Sequence, residues 1–195
     1  MEEKIILTSE KALQEITKGI LRNAIINDSL KLDGNSFPSD LILENIQINY
    51  GDLSILNSSI SQGLILSNVK ILGGNMMLFN TEVKGNTSLD NIKIKHKKSS
   101  MSSGALSFCE FRTEGFNLNK VKSRDMGLLC IKVDKKGLCG KGIDTDFFAM
   151  EECVFSGPVN LGLNCKKMKF KNLIAGRGTI SINFFKQKYL TIRSK

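Results

Sequence analysis

Residues 41–94 read LILENIQINYGDLSILNSSISQGLILSNVKILGGNMMLFNTEVKGNTSLDNIKI, and their spacing decides the fold. Asn45, Asn57, Asn68, Asn80 and Asn91 recur at steps of 12, 11, 12 and 11. Two residues before each stands Leu43, Ile55, Leu66, Leu78 or Leu89, and four before stands Leu41, Leu53, Leu64, Met76 or Thr87. Three after each comes β-branched Ile48, Ile60, Ile71, Val83 or Ile94. Gly51, Gly63, Gly74 and Gly85 close the first four units, and Leu30, Leu32, Gly34 and Phe37 supply one more upstream, with Gly in the Asn slot.

The alternating apolar pair is a short strand with one buried face. Asn and Gly mark places where the backbone must turn, through positive φ or side-chain bonds to neighbouring amides. A strand, a corner, one inward β-branched residue and a second corner describe the wall of a parallel solenoid. The alternation of 11 and 12 makes two units one coil of 23 residues. No stripe at helical spacing runs through these units. Coils stacked about 4.8 Å apart place like residues over one another, so the asparagines form a structural ladder bonding up and down.

Working outward, the pattern loosens beyond Lys95. Phe148, Met150, Glu152 and Phe155 fit the unit, as do Leu161, Leu163, Cys165 and Met168, with Glu and Cys in the Asn slot. Leu106 with Phe108, Phe116 with Leu118, Leu129 with Ile131, and Ile180 with Ile182 read as wall strands, and the larger Phe and Met side chains imply a wider interior. Residues 95–104 (KHKKSSMSSG) and 132–146 (KVDKKGLCGKGIDTD) read as protruding loops. At the N-terminus, residues 9–19 read as a short helix with Ser9 as N-cap, Ala12, Leu13 and Ile16 inward and Gly19 as its stop. It would cover the open end of the solenoid, with residues 184–192 as the candidate at the other end. The expected architecture is thus all-β: a right-handed parallel β-helix of roughly seven coils, on the order of 35 Å long. Its parts are a cap over 1–29, a regular solenoid over 30–94, a polar loop over 95–104 and an irregular basic continuation over 105–195.

The Leu/Ile-x-x-Asn ladder over residues 30–94 resembles right-handed β-helix proteins, the pentapeptide-repeat family in particular. The resemblance implies a square-section coil without a catalytic site, used as a binding rod, and some members resemble DNA in shape and negative charge. This chain departs in having a 23-residue period rather than a multiple of five. Asp33, Asp40, Glu44, Asp52, Glu82 and Asp90 would make an acidic face on the first half, whereas the second half is basic.

The chain of 195 residues carries 28 Lys and Arg against 19 Asp and Glu. Through Lys95 there are 9 basic and 11 acidic residues, a net of −2, and from His96 onward 19 and 8, a net of +11. Such a field speaks of partners rather than of fold. Only Ile5 to Leu7 are apolar near the start, which suits neither an export signal nor a membrane span, and the expectation is a cytoplasmic protein. Cys109, Cys130, Cys139, Cys153 and Cys165 then read as buried thiols rather than a disulfide framework.

Signals for chemistry are thin, and the expectation is no enzyme, no cofactor and no metal. His96 is the single histidine and lies among lysines, which removes the usual base for a Ser or Cys nucleophile. A left-handed acyltransferase solenoid would need an 18-residue coil. Residues 137–142 (GLCGKG) lack the Ser or Thr and the upstream Gly of a phosphate loop and read as a flexible loop. The cysteines show no paired C-x-x-C spacing for zinc. Asp144 and Asp146 read as turn residues rather than a catalytic carboxylate pair.

Charge placement is the strongest functional signal. Lys167, Lys169 and Lys171 alternate with Met168 and Phe170, which buries Met and Phe and lines up three ammonium groups outside. Lys120 and Lys122 flank Val121 in the same manner, and Arg124, Lys135, Lys136, Lys141 and Arg177 extend the patch, with Lys97 and Lys98 in the neighbouring loop. The expectation is a non-enzymatic binding protein whose basic flank occludes an acidic protein surface or a nucleoprotein complex. A phage-type inhibitor of a nucleic-acid-targeting defence enzyme, of the anti-CRISPR kind, would suit its size and character. The alternative is direct, nonspecific nucleic-acid binding through phosphate contacts. The sequence leaves the oligomeric state open, a dimer included.

Overall fold

The computed structural model describes residues 3–95, 104–176, 180–186 and 189–193. Each coil of the parallel β-solenoid has four faces. In the coil that starts at Leu53, face 1 is Leu53–Leu56, Asn57 turns the corner, face 2 is Ser59–Ile60, and a turn leads on. Face 3 is then Leu64–Ser67, Asn68 turns the second corner, and face 4 is Lys70–Leu72. All strand pairing is parallel and between successive coils. Face 3 stacks eight levels, with Leu21 and Leu43, Leu66, Leu89, Leu118, Gly140, Leu161 and Ile182 in one column. Eight levels correct the expected seven, and their seven spacings give about 34 Å.

The period of 23 holds where the sequence shows it, as in Leu41↔Leu64 and Leu53↔Met76. It stretches to 30 at Met76↔Leu106, where the polar segment is inserted, then alternates between 20 and 22 at Leu106↔Met126, Met126↔Phe148 and Phe148↔Met168. Sheet pairing continues across the insertion, from Met76–Asp90 to Ala105–Asn119, and one apolar core runs through both halves. Residues 96–103 lie outside the described residues, so the polar-loop reading falls largely there.

Both asparagine columns are where the spacing puts them. Asn45, Asn57, Asn68, Asn80 and Asn91 all have φ between 46° and 57°, the left-handed region that Asn tolerates better than most residues. Asn80 donates to Asn57 at 2.9 Å and Asn57 to Asp33 at 2.9 Å; Asn91 donates to Asn68 at 2.7 Å and Asn45 to Asn23 at 2.6 Å. No side-chain bond joins Asn45 to Asn68, so that ladder is built in pairs.

In the second half the same two corners persist with different residues. Glu110, Cys130, Glu152 and Asn172 continue the Asn57 corner, while Lys120 and Gly142 continue the Asn68 corner, all at positive φ. Glu152 is in the expected slot, but Cys165 is not. It pairs with Thr145 on face 4, in the inward column of Ile71, Ile94 and Ser123. Leu129 likewise stands half-exposed before the Cys130 corner, and Met126 and Leu128 are the inward pair of that strand.

Residues 132–146 are wall rather than loop, lying within the strand Lys132–Glu151. Leu138 stacks on Phe116 and under Val159. Gly137 at φ +75° passes so close to the Pro158 carbonyl that a Cβ has no room, which explains the glycine without invoking flexibility. The charges that suggested a loop are outward positions of a coil, while Gly137 and Gly142 turn the chain and Gly140 takes an inward place between Leu118 and Leu161.

Helix α1 (Ser9–Ile16) packs Ala12 and Ile16 into the core, with Leu13 against it, and caps the strand Leu30–Asp33. Its N-cap is Thr8, which accepts from the Lys11 amide at 3.3 Å. Ser9, expected in that role, donates instead to the Ser29 carbonyl at 2.8 Å. At the far end, Ile180–Lys186 and Tyr189–Arg193 are the last level of faces 3 and 1, so the described part of the candidate end cap, residues 184–186 and 189–192, continues the coil.

Aromatic rings fill the interior at the level after the insertion. Phe108, Phe111 and Phe116 meet edge-on or tilted at centroid distances of 5.4, 4.8 and 5.6 Å. Phe116 stacks over Thr87, a large side chain over a small one. Thr87 and Thr113 share a buried hydrogen bond of 3.0 Å.

Candidate binding surface

The solenoid turns alternate residues outward, so every charged side chain on a wall strand stands on a column set by register. In the second half this organises ion pairs between levels. Lys122–Asp144 and Lys166–Asp146 are 2.8 Å apart, Lys169–Glu151 2.9 Å, Lys136–Glu114 3.0 Å, Arg112–Asp134 3.4 Å and Lys171–Glu152 4.0 Å. With Arg124–Asp125 at 3.9 Å, seven of the eight carboxylates from Glu110 to Glu152 have a basic neighbour. Lys120, Lys132, Lys135, Lys141 and Lys167 form no ion pair among the described residues.

The expected basic residues do not make one flank. Lys167, Lys169 and Lys171 line face 1 with Met168 and Phe170 buried between them, but Lys169 and Lys171 are engaged by Glu151 and Glu152. Lys135 and Lys136 lie on the turn between faces 2 and 3. Arg124 sits between faces 4 and 1. Lys120, Lys122 and Lys141 gather around the corner of faces 3 and 4, with Val121 buried beneath. Lys97, Lys98 and Arg177 lie outside the described residues, as does His96.

Sequence reasoning missed that this corner recruits lysines from the acidic half. Lys70 and Lys93 are in register on face 4, and Lys93 bridges to Lys122. The signal was the 23-residue spacing of Lys70 and Lys93 itself, hidden by reading charge in halves rather than in columns. The Asp144 carboxylate pushes the Lys122 ammonium above the usual lysine range, whereas partial burial and nearby Lys70 hold Lys4 below it.

The six carboxylates expected to form an acidic face are scattered instead and tie coils together. Asp40 accepts from the Gly63 amide and Asp52 from the Asn75 amide, both at 2.6 Å. Glu44 pairs with Arg22 at 2.8 Å, Glu82 with Arg112 at 3.8 Å, and Asp90 accepts from Asn119. Lys31, then Asn57, hold Asp33 below the ordinary carboxylate range.

The cysteines divide, contrary to the expectation of five buried thiols. Cys153 and Cys165 are buried, Cys109 is half-buried, and Cys130 and Cys139 are exposed. Burial pushes the Cys153 thiol up to about 12. It donates to the Leu128 and Glu151 carbonyls at 3.1 and 3.3 Å, the bonds that Thr81 makes to Ile55 and Phe79 in the first half. Among the described residues no group of three His, Cys, Asp or Glu side chains converges on one point. Asp144 and Asp146 are each held by a lysine, and no described helix is long and apolar enough to cross a membrane.

Compared with models of protein families, with characterised proteins and with solved structures, the chain matches none. Its class therefore rests on its own architecture, a parallel β-solenoid of the pentapeptide-repeat-like kind. No particular relative narrows it further.

Proposed function

We propose that this protein is a non-enzymatic binding rod that docks on a polyanionic macromolecular partner, an acidic protein surface or a nucleoprotein complex, and occludes it. The observation that carries this reading is the excess of unpaired lysines on a wall where six of the eight carboxylates are taken up by pairs between levels. Exposed cations left over after such pairing raise the positive potential outside and steer acidic partners. A stiff solenoid presents them on a backbone that is already ordered, so binding costs only side-chain freedom. An inhibitor of a nucleic-acid-handling enzyme is one protein that would work in this way.

The test uses two probes at low ionic strength, an acidic polypeptide (polyglutamate) and a DNA duplex of about 20 base pairs, read by fluorescence anisotropy. Capture of at least one, weakening as salt rises, supports the reading. A chain that retains neither removes it.

A further inference from the structure

We infer that the corner between faces 3 and 4 is a track for the phosphate backbone of a nucleic acid, which deepens the binding reading above and rests on it. Lys70, Lys93 and Lys122 stack on face 4 at successive levels, about 4.8 Å apart. Lys95 points outward beside Lys93, with Ile94 buried between them. Lys120 takes the corner at the level of Lys122, and its amide donates to the Lys141 carbonyl at 2.8 Å, so Lys141 continues the line one level up. Against these six stand Asp144, paired with Lys122, Asp146, which also acts on Lys122 and is paired with Lys166, and Asp90, two levels below Lys141, which accepts from Asn119. The strip keeps a clear positive excess along the axis of the rod.

Lys120 adds an independent sign. Its φ is 51°, on a corner where the other levels carry Asn23, Asn45, Asn68, Asn91 and Gly142. Lysine is strained there where Asn and Gly are tolerated, and its ammonium forms no hydrogen bond or ion pair among the described residues. The fold gains nothing from that side chain, so its use lies outside the fold.

The chemistry of the strip selects the partner. Protein interfaces are depleted in lysine at their centres and rely on aromatic and arginine anchors. The cations of this strip are lysines, with Arg124 just past its edge, and Tyr50, an aromatic that is mostly exposed, lies below it in the turn after face 4. Lysines act on phosphate as flexible point charges, and a line of them suits a linear polyanion read without sequence preference.

The test measures affinity of the full chain for the DNA duplex of about 20 base pairs across a salt series, with polyglutamate alongside. Replacing Lys93→Gln, Lys120→Gln and Lys141→Gln together should weaken duplex binding about tenfold or more and flatten the slope of log affinity against log salt by about 2.7. Lys18→Gln, Lys31→Gln and Lys84→Gln, exposed lysines after helix α1, on face 1 of the first coil and on the turn after face 2, remove the same charge away from the corner and should leave both unchanged. Lys120→Asn alone should bind more weakly while unfolding at higher denaturant, which separates a lost contact from a damaged fold. Polyglutamate bound with no duplex bound overturns the phosphate track and leaves the broader reading standing. Neither probe bound removes both. Equal losses in the control and corner variants also overturn it, because they show diffuse charge rather than a track.

Discussion

Residues 30–95 and 104–176 build the same coil by different means. In the first stretch, like side chains stack on like, because the Asn amide is both donor and acceptor and tolerates the left-handed corner. In the second, the corners pass to Glu110, Lys120, Cys130 and Glu152, and the links between levels become Lys–carboxylate pairs. The comparison teaches that a solenoid needs its inward columns and two turning points per coil, while the chemistry that joins one level to the next is exchangeable. It also shows where selection for something other than stability has room to act, namely at corners occupied by residues that strain them.

The comparison breaks hardest at the seam between the two stretches. Phe108→Ala empties the middle of the three-ring cluster and should cost about 3–5 kcal/mol in urea unfolding; a cost below about 1 kcal/mol would mean that the neighbouring coils collapse into the gap. Next comes the ladder. Asn68→Ala loses the bond from Asn91 and puts a strained residue at the corner, with an expected loss of about 2 kcal/mol. A corner of the second half, on the Asn57 column, should respond with the opposite sign: Glu110→Gly relieves it and should gain about 1 kcal/mol. If both substitutions destabilise alike, the two stretches do not differ in the way described. Smaller again is Glu151→Gln, which breaks the partly exposed pair with Lys169 and should cost less than about 1 kcal/mol, shrinking in high salt.

The last prediction has no effect at neutral pH. The Cys153 thiol is raised in the folded chain from the usual value of 9.0 to about 12. Its contribution is therefore complete below about pH 9 and is lost as pH rises towards about 12, where the unfolded thiol ionises and the folded one keeps its proton. Cys153→Thr, which copies Thr81 of the first half, should remove that component from the alkaline fall in urea midpoint. An identical pH profile in the two proteins would assign the fall to other groups.

Much of the first half was legible because each level repeats the same residue types at a fixed step, so one unit announces all the others. The corner asparagines, the inward Ile and Leu columns and the buried face of helix α1 follow from local preference and period. The second half was legible only in part. Its period alternates between 20 and 22, which blurs spacing. A run such as GLCGKG looks like a loop when its glycines are wall and corner positions whose close contacts belong to the neighbouring level. Cys165 was misplaced for the same reason: a shortened coil shifts every later residue in the count, and it fell to face 4 beneath no corner at all. The surface was harder still. Lysines 167, 169 and 171 share a face by simple alternation, but nothing local reveals that Glu151 and Glu152 stand one level below to engage two of them.

By itself the sequence determined that this chain winds into a parallel solenoid, because side-chain alternation and left-handed corners are properties of a few neighbouring residues and recur often enough to be read. It also determined the sign of the charge available to a partner. Only the tertiary structure decided which charges meet. Register carries Lys70 and Lys93 from the acidic half to the side of Lys120, Lys122 and Lys141, and it spends most carboxylates on pairs between levels. Neighbourhood on a solenoid is set by stacking across 20 to 30 residues of chain, a distance over which composition keeps no memory of position.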